Sequence, residues 1–204
     1  MNTSARTSHV TGGTLFAAGL FLLLTASNLW AQSVTVFGSV EEARTCMIGA
    51  ELASKMRVGS RTDVEACDQA LRSGKLSHRD RAATYCNRGI IKAAMRLDQE
   101  AFEDYNVAIE MLPELAEPYI GRGNIYFLTS RLDEAIADYN KAMELDLGRM
   151  HVAFLNRGMA YEAQGRLAQA ETDYRKALEL APEWSLAQQK LDGIVAKRRA
   201  VPRG

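Results

Sequence analysis

Three cysteines are the residues whose types and spacing most directly suggest chemistry in this 204-residue chain. Cys46, Cys67 and Cys86 follow one another at similar intervals, and none of them belongs to a C-x-x-C pair. Because paired cysteines are typical ligands of a structural zinc ion, the sequence predicts no metal site. The cysteines are then either three small buried residues or a Cys46–Cys67 disulfide with Cys86 outside it.

The sequence also lacks the motifs that identify common enzyme classes. It contains no G-x-x-x-x-G-K-[ST] phosphate loop, no H-E-x-x-H helix and no G-x-S-x-G elbow. Gly121-x-Gly123 is not followed by the third glycine of a dinucleotide-binding loop. His78 and His151 are expected to be exposed polar residues, and nothing in the sequence places a histidine beside Cys86. We therefore predict a protein that is not an enzyme and has no cofactor.

Composition and charge narrow the range of partners. The chain has 25 basic and 25 acidic residues, so its formal net charge is zero and no general attraction to nucleic acid is expected. Its hydrophobic content is 47% and its aromatic content only 7%, as in alanine-rich helical proteins. We predict one folded unit that does not bind nucleic acid.

Residues 1–31 have the features of a secretory signal peptide. Arg6 is their one charged residue, and Thr14–Ala26 is an apolar run that is shorter than the roughly 20 residues a membrane helix needs. Cleavage after Ala31 would leave residues 32–39 as a flexible lead-in. The expectation is export to the periplasm of a Gram-negative envelope. The alternative is an uncleaved membrane anchor, and contact with the membrane is expected only in that case.

The chain is organised around a pattern that occurs three times between residues 82 and 184. Each copy has an aromatic residue, an Arg-Gly pair, an alanine, a tyrosine and a second alanine at constant relative positions. The copies are Tyr85, Arg88-Gly89, Ala101, Tyr105, Ala108; then Tyr119, Arg122-Gly123, Ala135, Tyr139, Ala142; then Phe154, Arg157-Gly158, Ala170, Tyr174, Ala177. Spacing of this regularity predicts a repeated hairpin of two helices.

Each recurrent residue of the pattern has a packing explanation. Glycine inside a helix costs about 1 kcal/mol relative to alanine, so the pattern's glycines predict a close approach of the partner helix. The first alanine of each copy would be the complementary small residue, and the tyrosine would fill the gap to the next hairpin. An aspartate precedes each tyrosine, at Asp104, Asp138 and Asp173. These aspartates predict bidentate ion pairs with the pattern's arginines.

Residues 40–81 are predicted to form a degenerate N-terminal copy of the hairpin. Its first helix would carry Ala43, Met47, Ala50 and Met56 on one apolar side, with Cys46 on the same flank. If Ala70 takes the second-alanine position, Cys67 stands where the other copies have tyrosine. Cys46 then falls near the aromatic position of the first helix. Those two positions face each other in an antiparallel helix pair, which favours the Cys46–Cys67 disulfide.

The pattern resembles the tetratricopeptide repeat, a 34-residue helix-turn-helix that stacks into a superhelix. The resemblance covers residues 82–115, 116–149 and 151–184, and residues 185–198 resemble the helix that caps such arrays. It implies an all-α, right-handed solenoid of antiparallel hairpins with a C-terminal capping helix. Residues 199–204, at the end of the basic sequence KRRAVPRG, are expected to be a disordered tail. Two departures occur. Arg96-Leu97-Asp98 arrives one residue early, so the first copy's turn is expected to be reshaped. One extra residue precedes the third copy.

The resemblance also implies that the first helices line a concave face that binds a peptide or helix of a partner protein. The groove positions carried over to this chain are Cys86, Ile90, Ala93, Ile120, Asn124, Phe127, Leu128, Leu155, Met159 and Glu162. They are mostly apolar, so we expect an apolar segment of a partner, with Asn124 bonding its backbone. The N-terminal hairpin would alternatively cover part of this surface. The expected function is a non-catalytic interaction scaffold in the cell envelope; the alternative is a membrane-anchored subunit of an envelope complex.

Overall fold

The computed structural model describes residues 41–145 and 150–200 of the chain. The predicted signal segment and lead-in, the joint at 146–149 before the third repeat, and residues 201–204 lie outside the described residues. Within the described ranges the chain forms nine α-helices and no strand. The helices are α1 Glu41–Met56, α2 Arg61–Arg72, α3 His78–Ala94, α4 Asp98–Met111, α5 Glu117–Leu128, α6 Leu132–Leu145, α7 Met150–Ala163, α8 Leu167–Leu180 and α9 Ser185–Ala200.

Consecutive helices pack as antiparallel hairpins, and each hairpin packs on the next. The pairs are α1–α2, α3–α4, α5–α6 and α7–α8, and α9 packs against α8 at the C-terminal end. This arrangement is the right-handed all-α solenoid with a capping helix that the repeat pattern predicts. In the part of the chain that the structure describes, no helix is both long enough and apolar enough to cross a membrane.

The recurrent glycines make room for the tyrosine of their own hairpin. A methyl group added at Gly89, Gly123 or Gly158 would lie 2.8 Å from the tyrosine ring atom Cε1, closer than the 3.5–4.0 Å optimum for two carbon atoms. The facing tyrosines are Tyr105, Tyr139 and Tyr174, each at most 1% exposed. The first alanine of each copy is fully buried. Each glycine therefore makes room for the partner helix, but the group that faces it is the tyrosine ring and not, as expected, the first alanine.

The turn inside each hairpin has the same backbone in all three repeats, so the expected reshaping of the first turn is wrong. The residue seven positions after the repeat glycine has a left-handed φ each time: 65° at Arg96, 61° at Ser130 and 75° at Gly165. The next N–H then donates one equivalent hydrogen bond per repeat, from Leu97 to Lys92 O, from Arg131 to Tyr126 O and from Arg166 to Tyr161 O. Because these bonds fix the helix end, the one-residue shift changes the side chains and leaves the backbone unchanged.

The N-terminal hairpin contains the predicted disulfide. Cys46 and Cys67 are joined with an S–S distance of 2.12 Å, and Cys86 is buried outside this bond. α2 begins after Ser60, whose hydroxyl oxygen accepts a hydrogen bond from the N–H of Asp63. The apolar side expected for α1 is only partly right. Ala43 and Ala50 are buried, but Met56 is exposed.

Candidate functional site

An open cavity of about 140 Å³ lies on the inner side of the second and third repeats. Its lining comes from the C-terminal half of α5, from α6, from α7 and from the residue that follows α1. The lining residues are Arg57, Asn124, Phe127, Leu128, Tyr139, Asn156 and Met159. Four of them, Asn124, Phe127, Leu128 and Met159, belong to the groove positions that the sequence predicts.

The predicted groove residues divide into a buried group and a group that reaches solvent. Those nearly or fully buried are Cys86, Ile90, Ala93, Ile120, Asn124 and Leu155. Those that reach solvent are Phe127, Leu128, Met159 and Glu162, and Leu128 is 46% exposed. Among the predicted groove positions, the apolar side chains that a partner can touch are therefore the three around the cavity.

Asn124 is the centre of a buried hydrogen-bond network behind the cavity. Its side-chain oxygen Oδ1 accepts hydrogen bonds from the Tyr139 hydroxyl and from Nδ2 of Asn156, each 2.9 Å long. Burial, together with the nearby Asp138 carboxylate, raises the pKa of Tyr139 well above its ordinary value, so the phenol stays protonated and donates. The network joins α5, α6 and α7. Asn124 was expected to bond a partner's backbone, but its side-chain oxygen already holds two repeats together.

The Glu162 carboxylate pairs with the capping helix and does not line the cavity. Its carboxylate accepts a hydrogen bond from the Tyr174 hydroxyl at 2.7 Å and pairs with Lys197 of α9. Burial alone would raise the pKa of Glu162, but the hydrogen bonds from Lys197 and Tyr174 outweigh it and hold that pKa below its ordinary value. Arg198 of α9 makes a second ion pair, with Glu171. Lys197 therefore helps to anchor the cap.

Arg57 is the cavity residue that sequence reasoning missed. It lies outside the three repeats, directly after α1, and has a left-handed φ of 57°. The repeat pattern assigns no groove position to the N-terminal hairpin, so no spacing rule points to this residue. Its location shows that α1 runs along the inner side of the solenoid toward the cavity. The same helix packs along α3 far more extensively than α3 packs on α5.

The predicted arginine–aspartate pairs form within each repeat, and each arginine also bonds to the preceding hairpin. Each arginine donates two hydrogen bonds to the aspartate of its own repeat, as in Arg122 with Asp138, at 2.8 Å each. Each also donates to the preceding hairpin: Arg88 to Asp68, Arg122 to Asn106 and Arg157 to Asn140. The predicted bidentate pairs are confirmed. The third bond was not predicted, and it links neighbouring repeats, consistent with a role in stacking register.

The described residues contain no group of three or more His, Cys, Asp or Glu side chains arranged to hold a metal ion. The inner side of the second and third repeats instead offers apolar side chains, buried amides and one guanidinium. Such a surface can hold an apolar side chain of another molecule.

Comparisons with known proteins agree with this geometry. The family model described as tetratricopeptide repeat matches residues 116–146 and 151–183. DnaJ homolog subfamily C member 7 from Mus musculus is 30% identical over 74 residues, and its counterpart from Homo sapiens matches equally. That match covers 36% of this chain and only 15% of the relative's length.

Solved structures of similar fold include several domains of the same kind. The Arabidopsis OM64 TPR domain superposes with a TM-score of 0.57 at 24% identity, covering 59% of this chain and 99% of the domain. The first TPR of Spaghetti (RPAP3), bound to the HSP90 peptide SRMEEVD, gives 0.56 at 25% identity over 58% and 94%. MamA gives 0.59 at 19% identity over 67% and 77%. At their lower identities, OM64 and MamA support the fold alone. The family match and the stacked hairpins together show that residues 116–146 and 151–183 of this chain are tetratricopeptide repeats.

Proposed function

We propose that this protein is a non-catalytic scaffold that binds another protein through the cavity between its second and third repeats. The observation that carries the proposal is the exposure of Phe127, Leu128 and Met159 around one opening, while the other apolar groove positions are buried. Exposed apolar residues grouped at one concave site are typical of a binding surface.

The size of the cavity indicates what it holds. An apolar cavity of about 150 Å³ accommodates a molecule such as benzene. The opening here, about 140 Å³, therefore fits one large apolar side chain of a partner, such as leucine, methionine or phenylalanine. Among the described residues, Arg57 is the one charged side chain that lines this opening.

Two similar domains support a protein partner. RPAP3 domains have been solved with the HSP90 peptide SRMEEVD and with the HSP70 peptide SGPTIEEVD, at 25% and 26% identity to this chain. Both peptides are rich in acidic residues, whereas the cavity of this protein presents three apolar side chains and a single cation. The segment captured here is accordingly apolar at its anchoring residue.

The site of action that fits residues 1–31 is the cell envelope, with the repeats exported to the periplasm. The apolar run Thr14–Ala26 after Arg6 supports this location. A retained anchor would make the protein a membrane-bound subunit instead. The intact mass of the exported protein distinguishes the two, because a mass beginning at Gln32 corresponds to cleavage.

The binding site is tested by replacing apolar residues of the cavity with a charged residue. Phe127→Glu and Met159→Glu should abolish capture of the partner from native envelope extract, because each places a charge in the apolar opening. Leu180→Glu is the matched control, since Leu180 is 51% exposed but outside the cavity. Unchanged capture by the two cavity variants, with helix content preserved, would remove the assignment.

A further inference from the structure

Helix α1 packs on the solenoid with its small side chains and turns its large apolar ones to solvent. Ala43, Cys46, Ala50 and Ala53 are at most 1% exposed. On the opposite side Ile48, Leu52 and Met56 are 51%, 54% and 57% exposed. Burial of large apolar surface is the main favourable contribution to helix docking. Hydrophobic burial alone therefore does not explain why α1 lies in this orientation.

The surface beneath α1 is the inner wall of the first repeat. Cys86, Ile90 and Ala93, three predicted groove positions on α3, are at most 3% exposed and share one apolar cluster with the small residues of α1. Cys46 Sγ lies 4.0 Å from the carbonyl oxygen of Thr84 on α3. Part of the expected binding groove is thus occupied by a helix of the same chain.

A covalent bond ties α1 to a helix that is itself anchored. Cys46 of α1 is bonded to Cys67 of α2. α2 is fixed to α3 by the ion pair between Asp68 and Arg88, at 2.5 Å, and by the bond from Arg81 to the carbonyl oxygen of Leu71, at 3.0 Å. The disulfide therefore holds α1 in place through the anchored α2.

We propose that the Cys46–Cys67 disulfide is a redox latch that keeps α1 over the inner wall of the first repeat. Both cysteines are fully buried, so a dithiol reductant reaches the bond when the α1–α2 hairpin opens locally. One reductant thiolate then attacks a protein sulfur, the S–S bond breaks, and the second thiolate resolves the mixed disulfide. The products are two protein thiols and the oxidised reductant. α1 then leaves α3, and Cys86, Ile90 and Ala93 extend the open surface toward the cavity. The seated α1 shows that this wall fits a helix with small side chains.

The expected size of the effect follows from the length of chain that the bond closes. The two cysteines are 21 residues apart, and a bond closing a loop of that length shifts an opening equilibrium by roughly 100-fold. The latch is measured by the reactivity of Cys86, outside the cavity lining, and without any partner, although Arg57 would move with α1. Its failure would consequently leave the proposed function untouched.

The test follows the reactivity of Cys86 toward N-ethylmaleimide, with mass spectrometric identification of the labelled site. In the oxidised full-length protein Cys86 should react slowly. In the Cys46→Ser/Cys67→Ser double variant, without reductant, it should react faster by roughly 100-fold if opening limits labelling. Reduction by dithiothreitol should give Cys86 of the natural protein the same fast labelling rate, once the labels on the three cysteines are distinguished by mass spectrometry. It should not change the Cys86 labelling rate in the variant.

Hydrogen exchange separates local release from general unfolding. Amides of α1 should lose protection in the double variant, while those of α3 and of α5 to α8 keep it. Equal Cys86 labelling rates in the oxidised protein and the variant would overturn the latch. Loss of protection through α5 to α8 would also overturn it, because the disulfide would then support the whole solenoid.

Discussion

The ring of Tyr105 lies directly against Gly121 of the following hairpin. A methyl group at Gly121 would lie 2.6 Å from the ring atom Cε1. The same ring faces Gly89 of its own hairpin. One tyrosine therefore fills the gap to the next hairpin, as the sequence pattern predicts, and also the gap within its own hairpin, which was not predicted.

This contact predicts opposite effects for two glycine-to-alanine changes. Gly121→Ala should destabilise the protein by about 1–3 kcal/mol, because overpacking outweighs the better helix propensity of alanine. Gly193→Ala in α9 is the matched change, since no atom lies within 4 Å of the added methyl group. It should stabilise α9 by up to about 1 kcal/mol. Urea unfolding of both variants measures the difference, and equal effects would contradict the contact.

The shared turn predicts a stabilising substitution. Ser130 has a φ of 61° in a position where the third repeat has Gly165 at 75°. A left-handed backbone costs a non-glycine residue roughly 1–2 kcal/mol, partly offset by the greater freedom of glycine in the unfolded chain. Ser130→Gly should accordingly raise the free energy of unfolding by about 0.5–1 kcal/mol. A lower melting temperature for this variant would mean that the three turns are not equivalent.

The cysteine assignment predicts a simple count. Protein produced by export and unfolded without reductant should react with one equivalent of a thiol reagent, at Cys86, because Cys46 and Cys67 are bonded to each other. After reduction the count should rise to three. Three reactive thiols before reduction would show that the disulfide does not form.

The anchoring of α9 predicts a loss of stability in acid. The hydrogen bond from Arg198 is the main cause that lowers the pKa of Glu171 in the folded protein. A lowered pKa means that the stabilisation is complete above the unfolded-state value of about 4.3 and is lost as pH falls through the folded-state pKa. Glu171→Gln should therefore cost roughly 0.5–1 kcal/mol at pH 7.

Thermal unfolding from pH 7 to pH 3 measures that dependence. The difference between the natural protein and Glu171→Gln should shrink as both approach pH 3. Arg175 also pairs with Glu171, at 2.5 Å, so Arg198→Gln provides the control that isolates α9. A difference that does not vary with pH would contradict the ion-pair explanation.

Residues that recur in the repeats were predictable from the sequence, because a constant spacing places them in equivalent environments. The arginine–aspartate pairs and the buried tyrosines follow from that rule. The Cys46–Cys67 pair followed from extending the rule to a degenerate copy. Gly121 was not recognised as a packing residue, since it occurs at its position in only one repeat.

The repeat spacing could not predict the position of Arg57 in the cavity lining or the orientation of α1. Both depend on how the N-terminal hairpin crosses the first repeat, and no repeated spacing encodes that contact. The apolar periodicity predicted that Met56 lies on the buried side of α1. In the structure that side consists of small residues, among them the disulfide-bonded Cys46, and Met56 is exposed. A covalent constraint can override the hydrophobic pattern of a helix, and sequence periodicity does not register it.

The binding role of the cavity is tested most directly by site-specific photo-crosslinking in the native envelope. A photoreactive amino acid is placed at Leu128, beside the cavity, or at Leu180, an equally exposed apolar position outside it. We expect the photoreactive residue at position 128 to give a crosslinked protein product that the residue at position 180 does not give. This product should disappear when Met159→Glu is added. No crosslink at 128, or the same products from both positions, would contradict it.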